Sequence, residues 1–189
     1  EVNDPDTLHL YAYCKNNPIS YVDPSGHKSI LSIYYNAKGK SLKQQAIKSN
    51  YYKYKNAKFI GVSKIKGFKK KWNKISKRYR KVYLYLHGGK GKLYFKNETM
   101  KASAIKKMKK KKKIKKLVLV ICKANKGSNS VAKAFHKIAP KAKIYASNAS
   151  VSFQYNWVKD KYYPRYRLKT ILKNYKKYAG KNPIHRIKF

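Results

Sequence analysis

The chain has 189 residues and a formal net charge of +43 at pH 7, and 42% of its residues are hydrophobic. This length suits one ordinary domain with a short appendage, and the clustered Leu, Ile and Val residues exclude a wholly disordered chain. No run of about 18 apolar residues occurs, so no membrane-spanning helix is predicted, and the acidic first residues are not typical of a signal peptide.

The positive charge is concentrated after residue 27. Of the 49 Lys and Arg residues, only Lys15 lies in residues 1–27, whereas Glu98 and Asp160 are the only acids that follow them. A protein with this much positive charge attracts polyanions, so we expect non-specific contact with nucleic acid or anionic membranes. A solvated lysine-rich surface is the simpler alternative, because lysine far outnumbers arginine, the residue that base-reading surfaces favour.

The first recognisable pattern along the chain is HLYAYCKNNPISYVDPSGH at residues 9–27. Its Asn-Asn-Pro and Asp-Pro-Ser-Gly runs are turn signals, and they flank short aromatic stretches typical of strands. The segment resembles the end of the core of Rhs/YD-repeat proteins, in which the pattern L-Y-x-Y-x-x-N-N-P-x-x-x-x-D-P-x-G closes a large β-cage. The matching residues are Leu10, Tyr11, Tyr13, Asn16, Asn17, Pro18, Asp23, Pro24 and Gly26.

That resemblance implies two parts, with residues 1–27 as the end of the repeat core and residues 28–189 as a C-terminal toxin effector. Asp23, Pro24 and Gly26 mark the junction, and Asp23 corresponds to an aspartate implicated in releasing the effector. The parent protein would be secreted or held at the cell surface, and its effector delivered into the cytoplasm of a competing cell. The implied partners are the β-cage of the parent chain and an acidic cognate immunity protein.

Within the effector, strand and helix patterns alternate. The predicted strands cover residues 30–35, 58–63, 82–86, 92–95, 117–121 and 143–146. The predicted helices cover residues 41–50, 67–80, 99–113, 129–138 and 168–178. This alternation favours an α/β fold with a mostly parallel central sheet and helices on both faces. The near-continuous apolar runs at 82–86 and 117–121 are typical of strands buried on both sides.

Two reactive side chains follow those two apolar strands. His87 stands between KVYLYL and a pair of glycines, and Cys122 stands between LVLVI and a loop that leads into a helix. Functional groups of parallel sheets gather beyond the carboxyl ends of central strands, so both residues lie at the expected place. A nearby helix N-terminus and a basic chain favour the thiolate. With only Cys14 as a second cysteine, no disulfide framework is predicted.

The chemistry of these residue types points to nucleophilic catalysis. A histidine beside a thiol can accept its proton and later protonate a leaving amine. The glycines after His87 would let backbone N–H groups approach a substrate carbonyl oxygen, as an oxyanion hole requires.

The spacing of the two blocks resembles the signature of caspase-like (clan CD) cysteine peptidases, with the closest likeness to the CHAT and clostripain branches. Gly88 and the strand at 92–95 match the run after the histidine. The helix after the cysteine is of the S-V-A-x-A-F type, matched by Ser130, Val131, Ala132, Ala134 and Phe135. Many members have an acidic or Gln-Ala pair before the cysteine, whereas this chain has Val120-Ile121.

The resemblance implies a caspase-like sandwich fold and an endopeptidase that cleaves a protein substrate in the target cell. It assigns His87 as the general base and proton donor, Cys122 as the nucleophile, and the Gly88 N–H as a donor to the oxyanion. It implies neither a metal nor another cofactor. Position alone suggests residues 148–156 and 162–167 as walls of the substrate pocket.

Three alternatives remain open at the level of sequence. Two acids are too few for a metal-dependent nuclease, but a metal-free RNase could use His87, His136 or His185 as its base. A serine α/β-hydrolase would order its triad as Ser130, Asp160 and His185, yet the chain lacks the G-x-S-x-G nucleophile elbow. A non-enzymatic cationic binder could stack single-stranded bases on some of the 19 tyrosines.

Overall fold

The computed structural model describes residues 30–51, 57–156, 161–166 and 184–189. The junction residues Asp23, Pro24 and Gly26, together with the predicted helix at 168–178, lie outside this part of the chain. The strands are β1 (Ile30–Tyr35), β2 (Lys58–Val62), β3 (Lys81–Tyr85), β4 (His87–Gly89), β5 (Lys92–Phe95), β6 (Glu98–Lys101), β7 (Lys116–Val120), β8 (Lys143–Ala146), β9 (Val151–Asn156), β10 (Lys161–Tyr166) and β11 (His185–Arg186). The helices are α1 (Lys43–Tyr51), α2 (Ile65–Asn73), α3 (Ala102–Lys106) and α4 (Val131–Ile138).

Six strands form the central sheet in the order β11-β8-β7-β3-β1-β2. The pairs among β2, β1, β3, β7 and β8 are parallel, and the edge strand β11 is antiparallel to β8. Strand β2 pairs with β1 on one side, and β3 pairs with β1 on the other side, so the direction of winding reverses after β2. This reversal makes the β1/β3 boundary a topological switch point, where α/β sheets open a crevice at their carboxyl ends.

Alternate residues of the central strands feed two hydrophobic cores, one on each face of the sheet. Val82 and Leu84 of β3 face the larger core, which also contains Phe68 and Trp72 of α2 and Phe135 of α4. On the other face, Tyr83 and Tyr85 pack with Ala46 of α1. The prediction of a mixed α/β fold with a mostly parallel sheet and helices on both faces is therefore confirmed.

A second, three-stranded antiparallel sheet, β4-β5-β6, follows β3 directly. The prediction of a helix at 99–113 is wrong. This segment forms most of β6, the five-residue helix α3 and a loop. Met100 pairs with Leu93 of β5, and both side chains are buried. The spacing of apolar residues in this segment fits a helix, but the cross-strand partner supplies a better burial site for Met100.

Helix α2 is also shorter than the predicted range of 67–80, because it begins at Ile65 and ends at Asn73. Its buried face consists of Phe68 and Trp72, while Ile75 is buried from the following loop. The β9–β10 hairpin, in which Val151 pairs with Tyr166, has no counterpart among the predicted elements. Within the described ranges, no helix combines the length and apolarity needed to cross a membrane.

Candidate active site

The two strands that carry the candidate dyad are direct neighbours. In the parallel β3–β7 pair, Tyr85 lies beside Val120. One buried residue follows each of them, Leu86 or Ile121, and the next residue is His87 or Cys122. The register therefore places both reactive residues two positions beyond the same paired row, at the carboxyl edge of the sheet.

Gly88 brings the histidine segment against the cysteine segment. A Cβ atom at this position would overlap the Cγ2 methyl of Ile121, and it would lie 2.9 Å from the Lys92 carbonyl oxygen and 3.6 Å from that of Cys122. Only glycine fits here without displacing a neighbour. The backbone of the predicted oxyanion donor thus packs directly on the residues that lead into Cys122.

His87 lies on the β1 side of this edge. Its ring meets the ring of Tyr35, the last residue of β1, edge to face, with the ring centroids 4.9 Å apart. Desolvation by the surrounding protein is the main cause that lowers the pKa of His87 below its ordinary value of 6.5; the charge of Lys40 acts in the same direction, and a hydrogen bond to the Lys40 backbone opposes both. The neutral, proton-accepting imidazole is therefore favoured at neutral pH.

Cys122 lies on the opposite side of the edge, toward β9, and is partly buried. Its Sγ accepts the backbone N–H of Val151 at 3.2 Å, and the thiol is 3.4 Å from the Val151 carbonyl oxygen, to which it donates. The N–H of the next residue, Lys123, donates to the Ala149 carbonyl at 2.8 Å. The segment after β8 therefore fixes the position of the sulfur atom.

The turn that begins at Cys122 is itself constrained. Lys123 has a φ of 53°, a left-handed conformation that is uncommon for a residue other than glycine. The Asn125 N–H donates to the Ser147 carbonyl at 3.0 Å, and the Ala132 N–H donates to the Ala124 carbonyl at 2.8 Å. These bonds tie the turn both to the end of β8 and to the start of α4, so the sulfur is held on a well-supported backbone.

The hydrogen bonds of the two reactive side chains lead to different neighbours. No hydrogen bond joins His87 to Cys122: the His87 ring packs on Tyr35, and both hydrogen bonds of the Cys122 sulfur are with Val151. Sequence reasoning included Val151 in the predicted pocket wall at 148–156, but nothing in the local sequence signals a role for Lys40 or Tyr35. Their contacts arise only because the β1 segment ends beside β3.

A cationic recess adjoins the site between the β4–β5 hairpin and the loop after Cys122. It has a volume of about 540 Å³ and contains the side chains of Lys90, Lys92, Lys101, Lys106 and Lys126. We call it the hairpin recess. Its two walls touch, because a Cβ at Gly91 would lie 2.9 Å from the Asn129 carbonyl oxygen.

The residues required by the alternative enzymes occupy less favourable places. Ser130 is fully buried and caps α4, since its hydroxyl oxygen accepts the Lys133 N–H at 3.1 Å. His136 lies in the last turn of α4 and stacks on Phe189, with the ring centroids 4.4 Å apart. His185 is an exposed residue of β11 and pairs with Ala146 of β8. Strand β11 is two strands away from β7. Asp160 lies outside the described ranges.

Metal-binding side chains are not grouped in the described ranges, where no three His, Cys, Asp or Glu residues come together. The Glu98 carboxylate accepts the backbone N–H of Ile65 at 2.6 Å and thereby joins β6 to the start of α2. The fold and site thus define a mixed α/β protein whose reactive side chains stand at the carboxyl edge of a mostly parallel sheet. Comparisons with protein families, curated proteins and solved structures found no match to this chain.

Proposed function

We propose that residues 28–189 are the toxin effector of an Rhs-type protein and act as a caspase-like cysteine endopeptidase with a His87–Cys122 dyad. The observation that carries this proposal is the β3–β7 register, since it brings a histidine and a cysteine to the same edge from adjacent strands. The sheet order adds support, because His87 follows a strand at the topological switch point.

In the proposed reaction, the Cys122 thiol gives its proton to the imidazole of His87, and the sulfur attacks the carbonyl carbon of the scissile peptide bond. A C–S bond forms, and the carbonyl electron pair moves to the oxygen, which the Gly88 N–H stabilises. When the C–N bond breaks, the imidazolium returns the proton to the leaving amine. Water activated by His87 then hydrolyses the thioester and regenerates the thiol.

The resting contacts of the sulfur suit the first step of this sequence. The thiol donates to the Val151 carbonyl, and transfer of its proton to His87 breaks that bond. The Val151 N–H remains pointed at the sulfur, where it stabilises the thiolate. The proposed reaction requires the His87 ring to approach the sulfur when substrate binds, since catalytic hydrogen bonds often form only in the substrate complex.

The test uses the effector expressed in a susceptible cell, together with purified protein on a mixed protein substrate. We expect Cys122→Ala and His87→Ala each to abolish both toxicity and cleavage. His136→Ala is the matched control, since His136 lies in the last turn of α4 and has no part in the proposed reaction. If both dyad variants remain as harmful as the parent, the peptidase proposal is wrong.

A metal-free RNase gives a different pattern in the same experiment. Cellular RNA would disappear without protein cleavage, Cys122→Ala would remain fully active, and activity would be lost on substitution of whichever histidine is the base, His87, His136 or His185. The thiol offers a second readout that does not depend on the substrate. For the peptidase, alkylation of Cys122 by iodoacetamide should be faster in the parent than in His87→Ala, because only the parent has the base that forms the thiolate.

The residue preceding the scissile bond is expected not to be basic. A pocket for lysine or arginine needs a carboxylate, and the effector has only Glu98 and Asp160. Glu98 is occupied by the Ile65 N–H on the antiparallel sheet. A peptide library that showed strict cleavage after lysine or arginine would contradict this part of the proposal.

A further inference from the structure

The amino edge of the central sheet, opposite the dyad, carries a row of lysines. Lys81 begins β3 and pairs with Lys116, which begins β7, and Lys116 in turn lies beside Lys143 at the start of β8. Neighbouring strands are about 4.8 Å apart, so three positively charged residues lie side by side at this edge of the sheet. Like-charged neighbours repel one another, and the ring of Tyr145 offsets part of this repulsion, since the Lys116 ammonium lies 4.8 Å from its centroid.

Two adjoining recesses extend this row into a larger cationic surface. The first has a volume of about 630 Å³ and is lined by Arg80, Lys112, Lys113, Lys115, Lys141 and Lys143. The second has a volume of about 450 Å³, shares Lys112 and Lys113 with the first, and adds Lys74, Lys77, Lys109 and Lys110. All ten of these side chains are exposed. We call the two recesses together the amino-end groove.

Hydrogen bonds hold the lysine-rich loop of this groove in one conformation. The ammonium group of Lys111 turns inward and donates to the carbonyl oxygens of Asn73 at 2.8 Å and Ile75 at 3.0 Å. The Lys109 N–H donates to Asn73 Oδ1, and the Lys109 carbonyl accepts the indole N–H of Trp72, both at 3.0 Å. The backbone that carries these lysines is thus held in place before any partner arrives, which reduces the entropy lost on binding.

No carboxylate side chain of the described residues neutralises this surface. Glu98, the one acid within those ranges, accepts the N–H of Ile65 at the start of α2, whereas the groove is lined by Asn73 at the end of that helix. The aromatic residue of the groove, Tyr79, is buried, and the exposed large hydrophobic residues of the described chain, Tyr94 and Phe189, lie elsewhere. The groove therefore offers point charges without a stacking platform or an apolar anchor.

We propose that the amino-end groove binds the phosphate backbone of double-stranded nucleic acid without reading its sequence. Lysine ammonium groups are suited to phosphates as point charges, and a recess admits a phosphodiester strand that a flat bilayer surface cannot follow. The absence of exposed aromatic side chains in the groove disfavours single strands, which bind largely by stacking on such residues. Binding at this edge leaves the dyad edge free.

The test measures fluorescence anisotropy of a labelled 20-base-pair duplex, as RNA and as DNA, in the Cys122→Ala background. The groove variant is Lys112→Gln/Lys113→Gln/Lys143→Gln. The matched control, Lys90→Gln/Lys92→Gln/Lys126→Gln, removes the same charge from the hairpin recess. We expect the groove variant to bind at least tenfold more weakly at 0.15 M salt, and its slope of log affinity against log salt to fall by about 2.7 for three phosphate contacts. The control should lose less than threefold.

Equal losses in the two variants would overturn the proposal in favour of diffuse charge. Tighter, groove-dependent binding to phosphatidylserine vesicles or to an acidic protein than to the duplex would overturn it in favour of that partner. A second measurement requires no variant. Bound duplex should protect Lys112 and Lys113 from acetylation more than Lys90 and Lys126, and equal labelling with and without duplex would contradict the proposal.

Discussion

The two edges of the central sheet are built from the ends of the same strands, yet they differ in how tightly they are packed and in how much charge they carry. At the carboxyl edge, β3 and β7 lead to His87 and Cys122, and the backbone of Gly88 packs closely against Ile121. At the amino edge, the same strands begin with Lys81 and Lys116, among exposed lysines with open recesses around them. The function proposed for the first edge depends on close geometry, whereas the function proposed for the second depends on the number of charges.

The strand core that both edges share gives the largest expected effect. Leu119 of β7 is fully buried and lies beside Leu84 of β3. Leu119→Ala should lower the free energy of unfolding by about 2–5 kcal/mol through lost burial and a residual cavity. Lys115→Ala, at the exposed position just before the same strand, should change it by less than about 0.5 kcal/mol. Chemical denaturation of both variants checks this, and equal losses would mean that β7 is not a central strand.

Close geometry at the carboxyl edge predicts the next largest effect. Gly88→Ala should destabilise the protein by about 1–3 kcal/mol and remove peptidase activity, because the added methyl must displace Ile121 or the Lys92 carbonyl. Gly67→Ala is the matched control, since a Cβ there meets nothing within 4 Å in the helix α2. It should stabilise the protein by up to about 1 kcal/mol. Duplex affinity should be unchanged in any Gly88→Ala protein that remains folded.

A pH titration should separate the two edges. The pKa of His87 is lowered, so the folded protein binds its proton less readily than the unfolded chain does. Stability linked to His87 is therefore fully present above pH 6.5 and declines as the pH falls toward the lower folded-state pKa. Peptidase kcat/KM should fall about tenfold per pH unit below that pKa, as the base becomes protonated.

Duplex binding over the same pH range should not weaken, because lysines stay fully charged there. The matched measurement is anisotropy at each pH used for the kinetics. A loss of duplex affinity parallel to the loss of peptidase activity would show that the two edges are not independent. His87→Gln should remove the pH dependence of stability that belongs to this residue.

The smallest expected effect comes from the helix cap behind Cys122. Ser130→Ala removes the hydroxyl that accepts the Lys133 N–H and should destabilise α4 by about 1 kcal/mol. Lys64→Ala at the start of α2 is the control, since Lys64 makes no side-chain cap bond there. Thermal unfolding distinguishes the two, and an unchanged midpoint in Ser130→Ala would mean that the cap does not support the site.

Local sequence was sufficient where one residue type dominates a short stretch. The strands at 30–35, 92–95 and 143–146 have the predicted bounds, and β7 differs by one residue at each end. Strands β1 and β7 are nearly continuous buried runs, as parallel strands require, whereas β5 and β8 alternate between more exposed and buried residues. The spacing of apolar residues predicted a helix at 99–113, and this prediction was wrong. Met100 pairs instead with Leu93 of β5. Local sequence also gave no signal for the β9–β10 hairpin.

The amino-acid sequence by itself determined an α/β chain in which a histidine and a cysteine each follow an apolar strand, and in which lysines precede those strands. Only the tertiary structure decided that β3 and β7 are neighbours in a register that aligns His87 with Cys122. It also decided that Val151 bonds to the Cys122 sulfur, that Tyr35 packs on His87, and that distant lysines form one groove. The physical reason is range: periodicity and capping act within a few residues, whereas strand order and register depend on the burial of surfaces far apart in the chain.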